Sequence, residues 1–118
     1  MNKYLLSAVL AVLAATVPMG ARQGSAHSLE AETAWSKLDQ CMEKMQVGMH
    51  SVKPSGNDDA DFIRLMLPHH QAAIDMAKVE LLYGRDPQAR RLAQEIITDQ
   101  QSEIELMQLW LKQHGSPK

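Results

Sequence analysis

The stretch Asp58–Gly84, DDADFIRLMLPHHQAAIDMAKVELLYG, decides the fold. At about 100° of rotation per residue, Phe62, Met66, His70, Ala73, Ala77 and Leu81 share one face, which predicts an amphipathic helix with His70 turned toward a core. His69 falls at the edge of that stripe. Side chains three and four apart are neighbours on a helix, so the Met66 thioether is within reach of either imidazole. Met76 lies two turns past His69, roughly 10 Å along the axis, and reads either as core or as part of a second site. Pro68 removes a backbone donor and crowds the carbonyl of Arg64. It predicts either a kink just before the histidine pair or a helix that begins at Pro68 itself.

A thioether beside an imidazole has a chemical preference. Soft sulfur with nitrogen suits copper, above all Cu(I), whereas zinc recruits thiolates, imidazoles and carboxylates and leaves methionine alone. Core packing is the competing reading, because methionine fills gaps in helical cores as a matter of course. Two imidazoles near a core need polar partners, and no acid or cysteine lies beside them in sequence. That need favours a site.

The chain has 118 residues, enough for one domain. It opens with Met1, Asn2 and Lys3, continues as an apolar run from Leu5 to Val17, and reaches Pro18, Gly20 and the small residues Gly24 to Ala26. This order of regions predicts a secretory leader, residues 1–26, cut after Ala26, with a domain at 27–118. The apolar run is too short to span a bilayer, so the expected product is periplasmic or secreted and carries no membrane segment. Loss of Lys3 and Arg22 would lower the basic residues from 12 to 10 against 14 acids. A net negative domain disfavours nucleic acid as a partner and presents no cationic membrane face. The single cysteine, Cys41, cannot close an internal disulfide, so packing or metal must hold the domain together. Cys41 reads as a small buried hydrophobe first, and as a soft ligand or an intermolecular bridge after that.

Upstream, Ala31, Ala34, Trp35, Leu38, Met42, Met45 and Met49 recur at helical spacing, with Ser28 as the expected N-cap. The methionines Met42, Met45 and Met49, followed by His50, form a ladder equally consistent with core packing and with Cu(I) capture. Ser51–Asn57, with Pro54 and Gly56, reads as a loop, after which Asp58 or Asp59 is expected to cap the second helix. Gly84, Asp86 and Pro87 mark a stop, a cap and a first turn. The third helix then carries an apolar stripe from Ala89 through Ala93, Ile97, Ile104, Met107 and Leu111 to about His114, with Glu103, Met107, Trp110 and His114 close in angle. Three helices joined by short connections predict an all-α antiparallel three-helix bundle, with room for dimerisation to complete a fourth helical position.

With those residues in view, the chain resembles the domain-of-unknown-function 305 family of exported ferritin-like helical bundles. The resemblance rests on MLPHHQAAIDMA at Met66–Ala77, GRDP at Gly84–Pro87 and LAQEIITDQQSEIELMQLWL at Leu92–Leu111. It implies an α-helical periplasmic or secreted protein, and some members bind copper and are associated with copper tolerance. Carried onto this chain, the implied ligands are Met66, His69, His70, Met76 and Met107. Met42, Met45, Met49 and His50 are a peculiarity of this sequence that fits the same use.

The function expected is therefore copper binding, Cu(I) rather than Cu(II), as a buffer or chaperone that exchanges the ion with a copper-handling protein. A metal-independent module offering methionine stripes to another helix is the alternative. An enzyme is not expected. No Glu has a His three residues later as di-iron bundles require, and there is no H-E-x-x-H, G-x-S-x-G or phosphate loop. A cut after Ala26 would also expose the His27 amine and imidazole, a pair able to chelate Cu(II).

Overall fold

The computed structural model describes residues 23–115, with side chains from Thr33 onward. The expected leader lies outside the described residues except for its last four, and the His27 side chain is not described. Three helices account for the rest: α1 Gln23–Ser51, α2 Asp58–Tyr83 and α3 Pro87–His114. They form the expected all-α three-helix bundle. None of the described helices is long and apolar enough to cross a membrane.

The ends of the helices depart from expectation in instructive ways. Already helical at Gln23, α1 takes Ser28 into its interior, so Ser28 is not the N-cap. At α2 the cap is Asn57 rather than Asp58 or Asp59; its Oδ1 accepts from the Ala60 backbone N–H at 3.1 Å. This leaves Asp58, Asp59 and Asp61 in the first turn, where their charges favour the positive end of the helix dipole. Pro68 neither starts nor ends α2, which runs unbroken through it. For α3 the reading holds: Asp86 Oδ1 accepts from the N–H groups of Gln88 and Ala89, and Pro87 occupies the first turn.

The loop between α1 and α2 is tied from one side. Asp61 accepts from the Ser55 backbone N–H and, at 2.6 Å, from its hydroxyl. These bonds, the side-chain one foremost, hold the Asp61 carboxyl below its ordinary value of 3.8. Gly56 has φ +84, a left-handed conformation that glycine adopts without strain. At the same end of the layer Arg64 Nη2 donates to the Gly115 carbonyl at 2.7 Å, joining the start of α2 to the end of α3. Arg90 performs the same office at the other turn, donating to the carbonyls of Leu81 and Gly84.

Small residues set how close the helices come. Among the described residues the buried set is Cys41, Ala60, Ala72, Ile74, Ala77, Val79, Ala93 and Ile104, half of it alanine, and no large side chain is fully enclosed. Where α1 crosses α2, a Cβ placed on Gly48 would stand 2.8 Å from the Pro68 Cβ. Glycine is therefore required there by the closeness of the two backbones. Helix α2 packs against both α1 and α3, whereas among the described residues the backbones of α1 and α3 do not approach each other. The bundle is thus open: a single layer with α2 in the middle and two broad faces.

Candidate metal centre

The sequence places its chemistry on α2, and the structure shows which of those residues meet. Between α2 and α3 runs a groove of about 370 Å³ lined by Phe62, Met66, His70, Glu103, Leu106 and Met107. Met66, His70 and Met107, three of the expected ligands, share this one concavity. Their convergence follows from helical spacing: Phe62, Met66 and His70 are four apart on α2, and Glu103 and Met107 are four apart on α3.

His70 is fixed at both nitrogens. Nδ1 lies 2.9 Å from the Met66 carbonyl, a contact in which the ring N–H donates to oxygen. Nε2 then faces the groove, 2.5 Å from Glu103 Oε2. The imidazole side chain is only 12% exposed while the Glu103 carboxylate is 54% exposed, so the acid approaches from solvent and caps a largely enclosed ring. No acid adjacent in sequence supplies this partner. It comes from α3, thirty-three residues away.

The donors in the groove are two thioethers, one imidazole nitrogen and one carboxylate. That set fits a soft ion such as Cu(I) better than a hard one. Among the described residues, no group of three or more His, Cys, Asp or Glu converges as a zinc or di-iron centre would need.

The other expected ligands lie elsewhere. His69 is exposed, its ring centre 6.3 Å from that of His70 and tilted 58° to it. Met76 is exposed as well, so it is not core. Met42 is exposed and Met45 and Met49 are half-buried along α1. His50 does not join that ladder. It lines an outer depression with Glu43, Gln46, Val47 and Ser51, its Nδ1 2.7 Å from the Gln46 carbonyl. Phe62, expected to face the core with His70, is instead 62% exposed at the lip of the groove. Cys41 is a free thiol buried where α1 meets α2, beside Met45, Pro68 and Ala72. Trp110 and His114 stack on each other at 4.8 Å and take no part in the groove.

The fold and this groove define a helical bundle with a sulfur- and imidazole-lined cleft between its second and third helices. The chain belongs to the family described as "Domain of unknown function (DUF305)", whose model matches residues 11–117. It is also similar to a protein of Acanthamoeba polyphaga mimivirus named "Uncharacterized protein L153", with 42% identity over 50 residues. Those residues are 42% of this chain and 33% of the viral protein, so the match spans about a third of that relative.

Proposed function

We propose that this protein is an exported copper-binding protein that buffers or carries Cu(I), with its principal site in the α2–α3 groove. The observation that supports this reading is the sharing of one cleft by Met66, His70 and Met107. His70 offers Nε2, because Nδ1 is engaged by the Met66 carbonyl. This backbone contact sets the tautomer and ring orientation, the role an outer partner plays for most histidine ligands. Thioethers hold no proton at any physiological pH, so Met66 and Met107 remain available where thiolates would be protonated. Glu103 competes with the ion for Nε2 and can add its carboxylate to the coordination.

Exchange requires access, and the groove opens to solvent past Phe62 and Leu106. Met42, Met45 and Met49 on α1 supply further thioethers for handing the ion in or out, and His69 stands outside as a second imidazole. Binding and release are the whole activity on this reading; no substrate is transformed.

The test is titration with Cu(I) against a competing chelator. A Met66→Leu, His70→Ala, Met107→Leu variant that keeps its helical circular dichroism should lose at least about tenfold in affinity, some 1.4 kcal/mol. If this variant binds as tightly as the wild-type protein, the groove is not the site. Unchanged binding after replacing Met42, Met45 and Met49 as well would overturn the copper reading itself.

A further inference from the structure

One face of the three-helix layer carries exposed apolar side chains on all three helices. On α2, Phe62, Leu65, His69 and Met76 fall within about 60° of one another at 100° per residue, and all four are exposed. No Lys, Arg, Asp or Glu enters that sector between Phe62 and Met76. Arg64, Gln71, Lys78 and Leu82 occupy the opposite sector of the helix. The two faces of the layer therefore differ in kind.

The flanking helices continue the pattern. On α3, Glu103, Leu106 and Met107 share the groove with Phe62, which puts exposed Leu106 on the Phe62 side. On α1, Lys44 gathers with Gln71 and Asp75 around one shallow pocket, on the side of Arg64 and Lys78. Met42, Met49 and Trp35 lie on the other side of buried Cys41 and so fall on the side of Leu65. Trp35 is 70% exposed there.

From these observations we infer that the Trp35–Met42–Leu65–Phe62–Leu106 face is where two copies of this chain dock on each other. Three facts favour a second copy over an unlike partner. The exposed parts of these side chains amount to on the order of 500 Å² of apolar surface, toward the upper end of the roughly 300–600 Å² of the largest patch on a typical monomer and more than half of the ~800 Å² per partner of a standard interface. The α2 strip of the face is uncharged, so a twofold axis through that strip brings no like charges together there; Glu103, exposed at the α3 edge, is engaged by His70. The strip also holds no charge cluster with which to select a charged partner. Finally, among the described residues the single layer fully encloses no large side chain of its own. Doubling it supplies the two-layer core that helical domains require. The inference does not depend on copper.

Sedimentation equilibrium of the full chain without metal tests it. Twice the chain mass is expected at tens of micromolar, from the usual range of such interfaces. Leu65→Glu places two carboxylates face to face across the twofold and should give the monomer mass while retaining helical circular dichroism. Leu82→Glu, on the opposite face, should remain dimeric. If Leu65→Glu fails to fold, Phe62→Glu and Leu106→Glu at the edge of the same face should each weaken association at least tenfold. The inference is overturned by monomer mass at every concentration, which would leave the face to the chain's own first residues or to an unlike protein. It is equally overturned if Leu82→Glu dissociates the dimer as readily as Leu65→Glu.

Discussion

Replacing Gly48 by alanine should destabilise the protein, although the same change is ordinarily favourable in a helix. Alanine exceeds glycine in helix propensity by about 1 kcal/mol in a helix interior, and by less near the end of α1 where Gly48 sits. Against that gain stands the Pro68 ring. The new Cβ would lie 2.8 Å from the Pro68 Cβ and 3.6 Å from its Cγ. Comfortable carbon contacts begin at about 3.5 Å, so the first is short by roughly 0.7 Å. Neither atom can rotate away: one is fixed to a helix backbone and the other to a ring. Relief requires α1 and α2 to move apart, which loosens the packing of Cys41 and Ala72 along the same seam. Overpacking of this kind costs about 1–3 kcal/mol, so the net loss is about 1 kcal/mol. For a domain of this size that lowers Tm by about 4–8 °C. Thermal melts followed by far-ultraviolet circular dichroism, at one fixed protein concentration because association shifts Tm, measure it directly. In a Pro68→Gly background, where the opposing Cβ is gone, Gly48→Ala should instead be neutral or stabilising. A higher Tm for Gly48→Ala in the wild-type background would refute the close crossing of α1 and α2.

Three further outcomes follow from named contacts. Asn57→Ala removes the acceptor for the Ala60 N–H and should cost about 1 kcal/mol, read from chemical denaturation; Asp58→Ala should cost less, because Asp58 is not the cap. Because the native Asp61 carboxyl titrates below its ordinary value, its tie to Ser55 stabilises the fold fully above about pH 4 and is lost as pH falls through the lowered native value. A Ser55→Ala variant should accordingly lose part of the wild-type slope in an acid denaturation series, and an unchanged slope would remove the tie from the account. Glu103→Gln removes the charge that faces Nε2 and should change Cu(I) affinity at one fixed pH, measured against a competing chelator; an unchanged affinity would mean that the carboxylate neither competes with the ion nor coordinates it.

The helices were legible because the evidence for them is local. Asp86 and Pro87 announce the start of α3, and the four-residue spacing of Phe62, Met66 and His70 announces a shared side of α2. What periodicity could not supply was the direction of burial. Phe62 belongs to the same stripe as His70, yet α3 covers the histidine and leaves the phenylalanine at the lip of the groove, because each neighbour covers only part of the central helix. Pro68 illustrates a different limit. Of the two readings it allowed, a start at Pro68 is excluded because α2 already begins at Asp58, and the close approach of its ring to Gly48 joins residues twenty apart that no window of sequence displays together.

For the site, the donors were visible but their grouping was not. Met66 with His70 is an intrahelical neighbour pair and could be read directly. Met107 joined them only as one option, and Glu103 only as a carboxylate that α3 could offer, since pairing α2 with α3 in register needs the fold. The Met42–His50 segment misleads for a simple angular reason: His50 follows Met49 in sequence but lies about 100° away around α1. Adjacency along the chain is the wrong measure of proximity on a helix.

The central claim is that soft donors of the α2–α3 groove hold one copper ion together. X-ray absorption at the copper edge of the Cu(I)-loaded protein tests it most directly. The account predicts sulfur scatterers together with at least one imidazole, the imidazole signal lost in His70→Ala and the sulfur signal diminished in Met66→Leu, Met107→Leu. A copper environment unchanged by either variant would contradict it.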